Sequence, residues 1–301
     1  PHSLSPPPPP PGRTRAVHCH TVTATNLARY DRMCDRAAAQ VIAAYSTSFA
    51  LAAKALGQPE RKHIRNIYAM VRIADELVDG TAAEAHECPE TALDMYEEQV
   101  LHAPHHRFHT DPVLHAYART HRECELDDAH VRAFFASMRA DLTQTSYSAE
   151  ELDTYIYGSA EAIGLMCLAV FLRGADPAPA ERATMERGAR ALGSAFQKVN
   201  FLRDYGEDHR ELGRAYLAGP LDDALKHTLT THITAELDQA REAIPLLPRS
   251  ARGGVAAAEA LFRELNEMIE AAPAAELAST RIRVPNHRKL VLTARAIAGQ
   301  R

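Results

Sequence analysis

The sequence predicts an all-α chain folded as a single domain, and three observations carry that expectation. Seven of the 18 prolines fall in the first eleven residues, and none occurs between Pro112 and Pro177 or between Pro179 and Pro220. Glycine is sparse, at 14 in 301 residues. Proline costs a helix interior about 3 kcal/mol and glycine about 1 kcal/mol, so this scarcity fits long helices. From Asn26 onward, apolar residues recur with helical period among abundant Ala, Leu, Arg and Glu.

In chain order, residues 1–25 read as a flexible Pro-rich tail with a polyproline run, and residues 26–301 as one helical domain. Helices are expected at 27–43, 46–56, 60–79, 90–102, 112–121, 127–142, 149–173, 178–208, 221–244, 248–271 and 286–298. Breaks fall at Gly57-Gln58-Pro59, Gly80, Pro104, Asp176-Pro177, Gly213 to Pro220 and Pro273. The stretch Ile156 to Leu172 is nearly all apolar and shorter than a bilayer span, so a central buried helix is expected. Gly158 and Gly164 inside it read either as close helix contacts or as room for a long ligand. His102, His105, His106 and His109 straddle Pro104 and read as a solvated loop.

Composition excludes several classes. Lys plus Arg is 34 against 39 Asp plus Glu, a net charge of −5, so no nucleic-acid partner is expected. The 46% apolar content excludes wholesale disorder. Five cysteines with no CxxC pair argue against a disulfide scaffold or zinc ribbon and for a reducing, cytoplasmic setting. At most peripheral membrane contact is expected.

Two carboxylate pairs occupy faces unlike ordinary surfaces. At about 100° per residue, Asp75 falls within the apolar arc of Ile64, Ile67, Val71 and Val78, with Asp79 at its edge and Tyr68 and Arg72 on the same side. Charged groups are rarely buried unpaired, so this pair calls for Arg, Lys or a metal. On helix 178–208, Gln197, Asn200, Asp204 and Asp208 form one narrow stripe of acceptors flanked by Phe196 and Phe201. The pair Asp31 and Asp35, set among Arg29, Arg32 and Arg36, reads instead as a solvated face. Hard oxygen ligands suit Mg²⁺, which is commonly held by one or two carboxylates plus substrate phosphates. Several Mg²⁺ ions around a diphosphate would draw charge from a leaving pyrophosphate. An apolar, aromatic remainder would hold a hydrocarbon and tolerate a carbocation. The expectation is an Mg²⁺-dependent enzyme acting on a prenyl diphosphate.

These residues then resemble the squalene/phytoene synthase family, its bacterial phytoene synthase branch in particular. Tyr45-Ser46-Thr47-Ser48-Phe49 and Arg72-Ile73-Ala74-Asp75-Glu76-Leu77-Val78-Asp79 resemble the first signature. The stretch from Ala195 to Asp208, followed by Gly213-Arg214-Ala215-Tyr216, resembles the second. Ser137 to Leu142, Tyr155 to Ala160, and Arg281 to Leu290 also fit. The resemblance implies a single-domain helical bundle of isoprenoid synthase type around a central channel. It implies that Asp75, Asp79, Asn200, Asp204 and Asp208 bind Mg²⁺ and diphosphate. Arg72, Arg203, Arg214 and Gln197 would orient phosphates, and Ser46 and Ser48 would contact the head group. Tyr45, Phe49 and Phe262 would line the substrate, with Tyr68 and Tyr155 near the developing cation. The implied reaction joins two isoprenyl diphosphates head to head, and NADPH is not expected. The alternative is transfer of a short prenyl group, such as dimethylallyl, to an aromatic acceptor such as an indole or carbazole. Phe262 stands where many members carry Tyr, Glu161 where many carry a small residue, and Leu217 to Pro220 departs from the usual loop.

Overall fold

The computed structural model describes residues 24–207, 216, 217 and 219–300. Asp208, Arg214 and all but the last two residues of the expected Pro-rich tail lie outside the described residues. Among the described residues, fifteen α-helices follow one another: α1 Ala24–Tyr45, α2 Thr47–Lys54, α3 Gln58–Val78, α4 Thr81–Glu84, α5 Pro89–His102, α6 Pro112–Cys124, α7 Asp128–Thr143 and α8 Ala149–Ile156. Then come α9 Ala162–Phe171, α10 Pro179–Arg203, α11 Tyr205–Glu207, α12 Asp223–Ala243, α13 Arg249–Ala271, α14 Ala274–Leu277 and α15 Asn286–Ala298. No strand occurs among the described residues.

Local chemistry sets the helix ends. Asp111 caps α6 by accepting Val113 N at 2.7 Å and Leu114 N at 2.8 Å. Ser148 and Glu151 form a reciprocal capping box at the start of α8. Proline opens α3, α5, α6 and α10 at the first positions, where a missing N–H costs no bond.

The two largest apolar cores among the described residues organise the helices. One gathers Met70 of α3, Leu93 of α5, Tyr117 of α6, Phe134 and Phe135 of α7 and Met166 of α9. The other gathers Val199 and Leu202 of α10, Ile233 and Leu237 of α12 and Phe262, Leu265 and Ile269 of α13. Each fully buried side chain of this size contributes about 1.5–3 kcal/mol. The apolar stretch packs between α7 and α10. With α8 it forms one helical run, Ala149–Phe171, which at 23 residues is longer than the expected apolar stretch and long and apolar enough to cross a membrane. From Tyr155 to Leu172 no residue is exposed, because this part packs against α7 and α10.

The expected helix at 149–173 carries one irregularity. Tyr157–Glu161 form a π turn between α8 and α9. Gly158 there lies against the Ala133 carbonyl and the Ser137 hydroxyl, and a Cβ would overlap both. Gly164 lies equally close to the Ala189 carbonyl. Both glycines therefore serve close helix contact. Glu161 is paired with Arg190 at 2.6 Å.

Two expectations need correction. The helix at 178–208 stops at Arg203, and a separate short turn, α11, follows. Gly206 in that turn lies against the carbonyl of Ala278, where a side chain would not fit. The pair Asp31 and Asp35 is no solvated face. Asp31 accepts His115 Nε2 at 2.7 Å and lies 3.2 Å from Arg119, which also pairs with Asp35. These aspartates clamp α1 to α6, because α1 lies on α6 and α3 rather than in solvent. The histidine run follows expectation in part: His102, at the end of α5, His105 and His106 are exposed, whereas His109 is half-buried, its Nε2 2.9 Å from the Ala103 carbonyl.

Candidate functional site

The first acidic motif sits at a helix end. Asp79 caps α3, its N–H bonded to the Asp75 carbonyl at 2.8 Å. Gly80 follows at φ +118°, a left-handed conformation glycine adopts without steric cost. Asp75 and Asp79 thus occupy the last turn, where the helix dipole and free carbonyls favour a cation. Arg72 lies 3.7 Å from Asp75 Oδ2 and 3.8 Å from Asp79 Oδ2, and pairs closely with Glu76. Glu76 also accepts Thr81 Oγ1 at 2.6 Å. One guanidinium therefore faces three carboxylates, leaving negative charge in excess. The Asp75 side chain keeps 30% of its surface accessible, yet desolvation pushes its pKa up to about 8. The charge of Asp79 adds to that rise, Arg72 opposes it, and Asp141 adds again.

The second motif also sits at a helix end. Asp204 caps α10, its N–H bonded to the Asn200 carbonyl at 2.8 Å. Arg203 folds onto Asp204, with Nε 2.8 Å from Oδ1. Arg281 reaches the same oxygen at 2.9 Å and Glu207 at 2.8 Å. Asn200 Oδ1, one turn earlier, is buried without a hydrogen-bond partner. Gln197 is half-buried a further turn back.

The joint between α1 and α2 links the motifs. The Tyr45 ring lies under the Arg72 guanidinium, 4.4 Å from its centroid. Ser46 Oγ accepts Phe49 N at 3.1 Å, capping α2, and lies near enough to Tyr68 to act on its hydroxyl. Thr47 Oγ1 accepts Lys289 Nζ at 2.8 Å. Burial, then the charges of Arg283 and Arg203, lower the Lys289 pKa. So Tyr45 touches the arginine of the first motif, while Thr47 holds a lysine beside the arginine of the second. Ser48 is half-buried on the same turn. Like-charged, partly desolvated cations of this kind suit a phosphate ligand.

An aromatic wall adjoins the joint. Phe49 lies 6.1 Å from Tyr68, 5.6 Å from Phe196 and 5.4 Å from Phe262, and Phe196 stacks on Phe262 at 3.8 Å. Burial pushes the Tyr68 pKa up to about 12, so its hydroxyl stays protonated. Tyr155 is buried deeper, its hydroxyl 2.8 Å from Asp141 Oδ2.

The structure thus gathers Tyr45, Ser46, Phe49, Tyr68, Arg72, Asp75 and Asp79 around one joint, Phe262 joins them through Phe49, and Arg203 and Asp204 are linked to it through the charge of Arg203 on Lys289. Sequence reasoning quoted Asp141, Tyr216, Arg281, Arg283 and Lys289 as family-like but gave them no role. Tyr216 lies 75 residues from Asp141 and Lys289 lies 242 from Thr47, and no local spacing reveals such contacts.

The donor set fits a hard divalent cation in one respect. Asn200 Oδ1 is an orphaned buried oxygen beside Asp204, and the first motif holds surplus negative charge. No group of three or more His, Cys, Asp or Glu side chains converges on one point among the described residues.

The family model for squalene/phytoene synthase matches residues 42–236. The chain is 38% identical over 194 residues to a phytoene synthase of Arthrospira platensis, covering 61% of this chain and 60% of that protein. It is 34% identical over 261 residues to a 15-cis-phytoene synthase of Synechocystis, covering 77% and 75%. The chain spans about three fifths of the length of the first of these relatives. A crystal structure of a dehydrosqualene synthase superposes with a TM-score of 0.73 at 23% identity, covering 91% of this chain and 98% of that one. A squalene synthase of Alicyclobacillus acidocaldarius gives 0.67 at 20% identity, covering 82% and 95%. These two likenesses establish the fold, and the sequence matches go further. The chain belongs to the squalene/phytoene synthase family.

Proposed function

We propose that the protein is an Mg²⁺-dependent prenyltransferase joining two isoprenyl diphosphates head to head. The observation that carries this reading is a pair of acidic helix ends, each with its arginine, tied to the Tyr45–Thr47 joint: Tyr45 lies under Arg72, and Thr47 accepts from Lys289, on which the charge of Arg203 acts. Family membership and relatives named phytoene synthase support it. Those names give an aromatic acceptor no support.

In this reading Asp75, Asp79, Asn200 and Asp204 hold the metal, with Asp208 beyond the described residues. Mg²⁺ would supply the positive charge that makes pyrophosphate a competent leaving group. Arg72, Arg203 and Lys289 grip the phosphates, with Gln197, Ser46 and Ser48 near the head group. Arg214 joins this set by resemblance alone. The wall of Phe49, Tyr68, Phe196 and Phe262 holds the hydrocarbon and offers ring faces to the allylic cation. The double bond of a second donor attacks that cation and a proton leaves, giving a cyclopropylcarbinyl diphosphate. Loss of the second pyrophosphate, rearrangement and loss of a second proton give the hydrocarbon, so no reductant is consumed. The free thiols of Cys34, Cys88, Cys124 and Cys167 support a reducing, cytoplasmic setting.

Geranylgeranyl and farnesyl diphosphate, each incubated with protein and Mg²⁺ without NADPH, test the reading. The expected product is a head-to-head hydrocarbon or its cyclopropyl intermediate. Asp75→Ala and Asp204→Ala are expected to abolish turnover with circular dichroism unchanged. Folded wild-type protein that makes neither product from either donor overturns the proposal.

A further inference from the structure

Asp141, in the last turn of α7, is 9% exposed, and phenolic hydroxyls converge on it. Tyr155 donates to Oδ2 at 2.8 Å and Tyr216 to Oδ1 at 2.9 Å, with Tyr147 farther off at 3.5 Å. The Tyr155 and Tyr216 oxygens are themselves 3.5 Å apart. Packing leaves the rings little freedom: Tyr216 stacks on Phe201 of α10 at 4.3 Å and on Tyr147 at 5.5 Å. The cluster lies beside the machinery described above. Asp141 acts electrostatically on Asp75, and Phe201 directly follows Asn200.

A carboxylate accepts and does not donate when ionised. Each tyrosine that gives its single proton to Asp141 has only oxygen lone pairs left to offer any other neighbour. The carboxylate thereby fixes the polarity of both hydroxyls, and its charge reinforces that polarity across two short bonds.

We infer that Asp141 is a positioning residue of the site: it takes the protons of Tyr155 and Tyr216, so that their oxygens present electron density where positive charge develops. This inference rests on the proposed prenyl transfer, in which an allylic cation forms. It assigns Asp141 no contact with substrate and no proton transfer. An amide at this position keeps the volume but reverses half the polarity. Asn would accept one phenol through Oδ1 and turn an N–H toward the other.

The test compares wild type, Asp141→Asn, Tyr216→Phe and the double variant, all with geranylgeranyl diphosphate and Mg²⁺. Asp141→Asn is expected to lower kcat by about thirtyfold or more while KM moves less than about threefold, a loss typical of misorientation rather than weakened binding. The double variant should fall no further than Asp141→Asn alone, because the two changes remove one linked interaction. In protein labelled with ζ-¹³C tyrosine, Asp141→Asn should move two tyrosine resonances. The inference is overturned if Asp141→Asn keeps kcat within about threefold of wild type, or if the losses multiply as independent effects. If Asp141→Asn does not fold, Tyr155→Phe and Tyr216→Phe decide, since both preserve ring packing; unchanged kcat in both overturns it. Folded wild-type protein without turnover on any prenyl diphosphate defeats the proposed function, and this inference falls with it. An active wild type beside an unaffected Asp141→Asn defeats the inference alone.

Discussion

Asp75 is a carboxylate whose charged form the fold disfavours. Its pKa stands at about 8 against an ordinary 3.8, raised by burial and then by Asp79. The folded state therefore holds this proton more tightly than the unfolded chain. Stability tied to the protonated form is fully present at acid pH and is lost as pH rises from about 4 toward 8. Asp75→Asn removes that loss. In EDTA at pH 8 the variant is expected to melt at a higher temperature than wild type, while its turnover falls by about a thousandfold or more. Thermal unfolding and pyrophosphate release measure the two effects. A variant less stable than wild type under those conditions would mean the carboxylate is already compensated without metal. Lys289 has the opposite sign. Flanked by Arg283 and Arg203, it is disfavoured in its charged form until an anion arrives. Lys289→Ala is expected to raise KM for a prenyl diphosphate about tenfold, with a smaller change in kcat, in steady-state kinetics.

Among the elements, helix ends matter more than helix lengths. Both motifs lie where a helix stops, one at Asp79 before the left-handed Gly80, the other at Asp204. The first end was legible, because Gly80 is a sequence-local stop signal. The second was not, because α10 stops before a turn that packs on Ala278, far away in sequence. Helical periodicity placed Asp75 correctly on an inward face. It could not separate Asp31 and Asp35 from solvent, since their partners His115 and Arg119 lie on α6. The π turn at Tyr157–Glu161 left no compositional trace. Gly158 within it is expected to tolerate no side chain. Gly158→Ala should cost about 1–3 kcal/mol in urea unfolding, because a Cβ overlaps Ala133 and Ser137 of α7. The α3–α6 contact also carries a titration. His63 is fully buried, bonded to Thr120 at 2.9 Å, and burial lowers its pKa to about 3 from 6.5. The folded state keeps it neutral, so its contribution is complete above about pH 6.5 and is lost as pH falls toward 3. His63→Phe should flatten the dependence of melting temperature on pH between 6.5 and 4.

On the scale of the whole molecule, two apolar cores hold α3 and α10, and the α1–α2 joint ties Arg72 of one to Lys289, on which the charge of Arg203 of the other acts. Composition made the helical class and most element positions readable, because scarce Pro and Gly act locally. The assembly of the site depends on contacts between residues as far apart as Thr47 and Lys289, which only the folded chain brings together. The central claim is that one such site ionises two diphosphates for each product. Its most direct test is the ratio of pyrophosphate released to hydrocarbon formed, measured with geranylgeranyl diphosphate and Mg²⁺ and no reductant. Head-to-head joining predicts two pyrophosphates for each product molecule built from two donors. A ratio of one, with a product carrying a single prenyl unit, would contradict it.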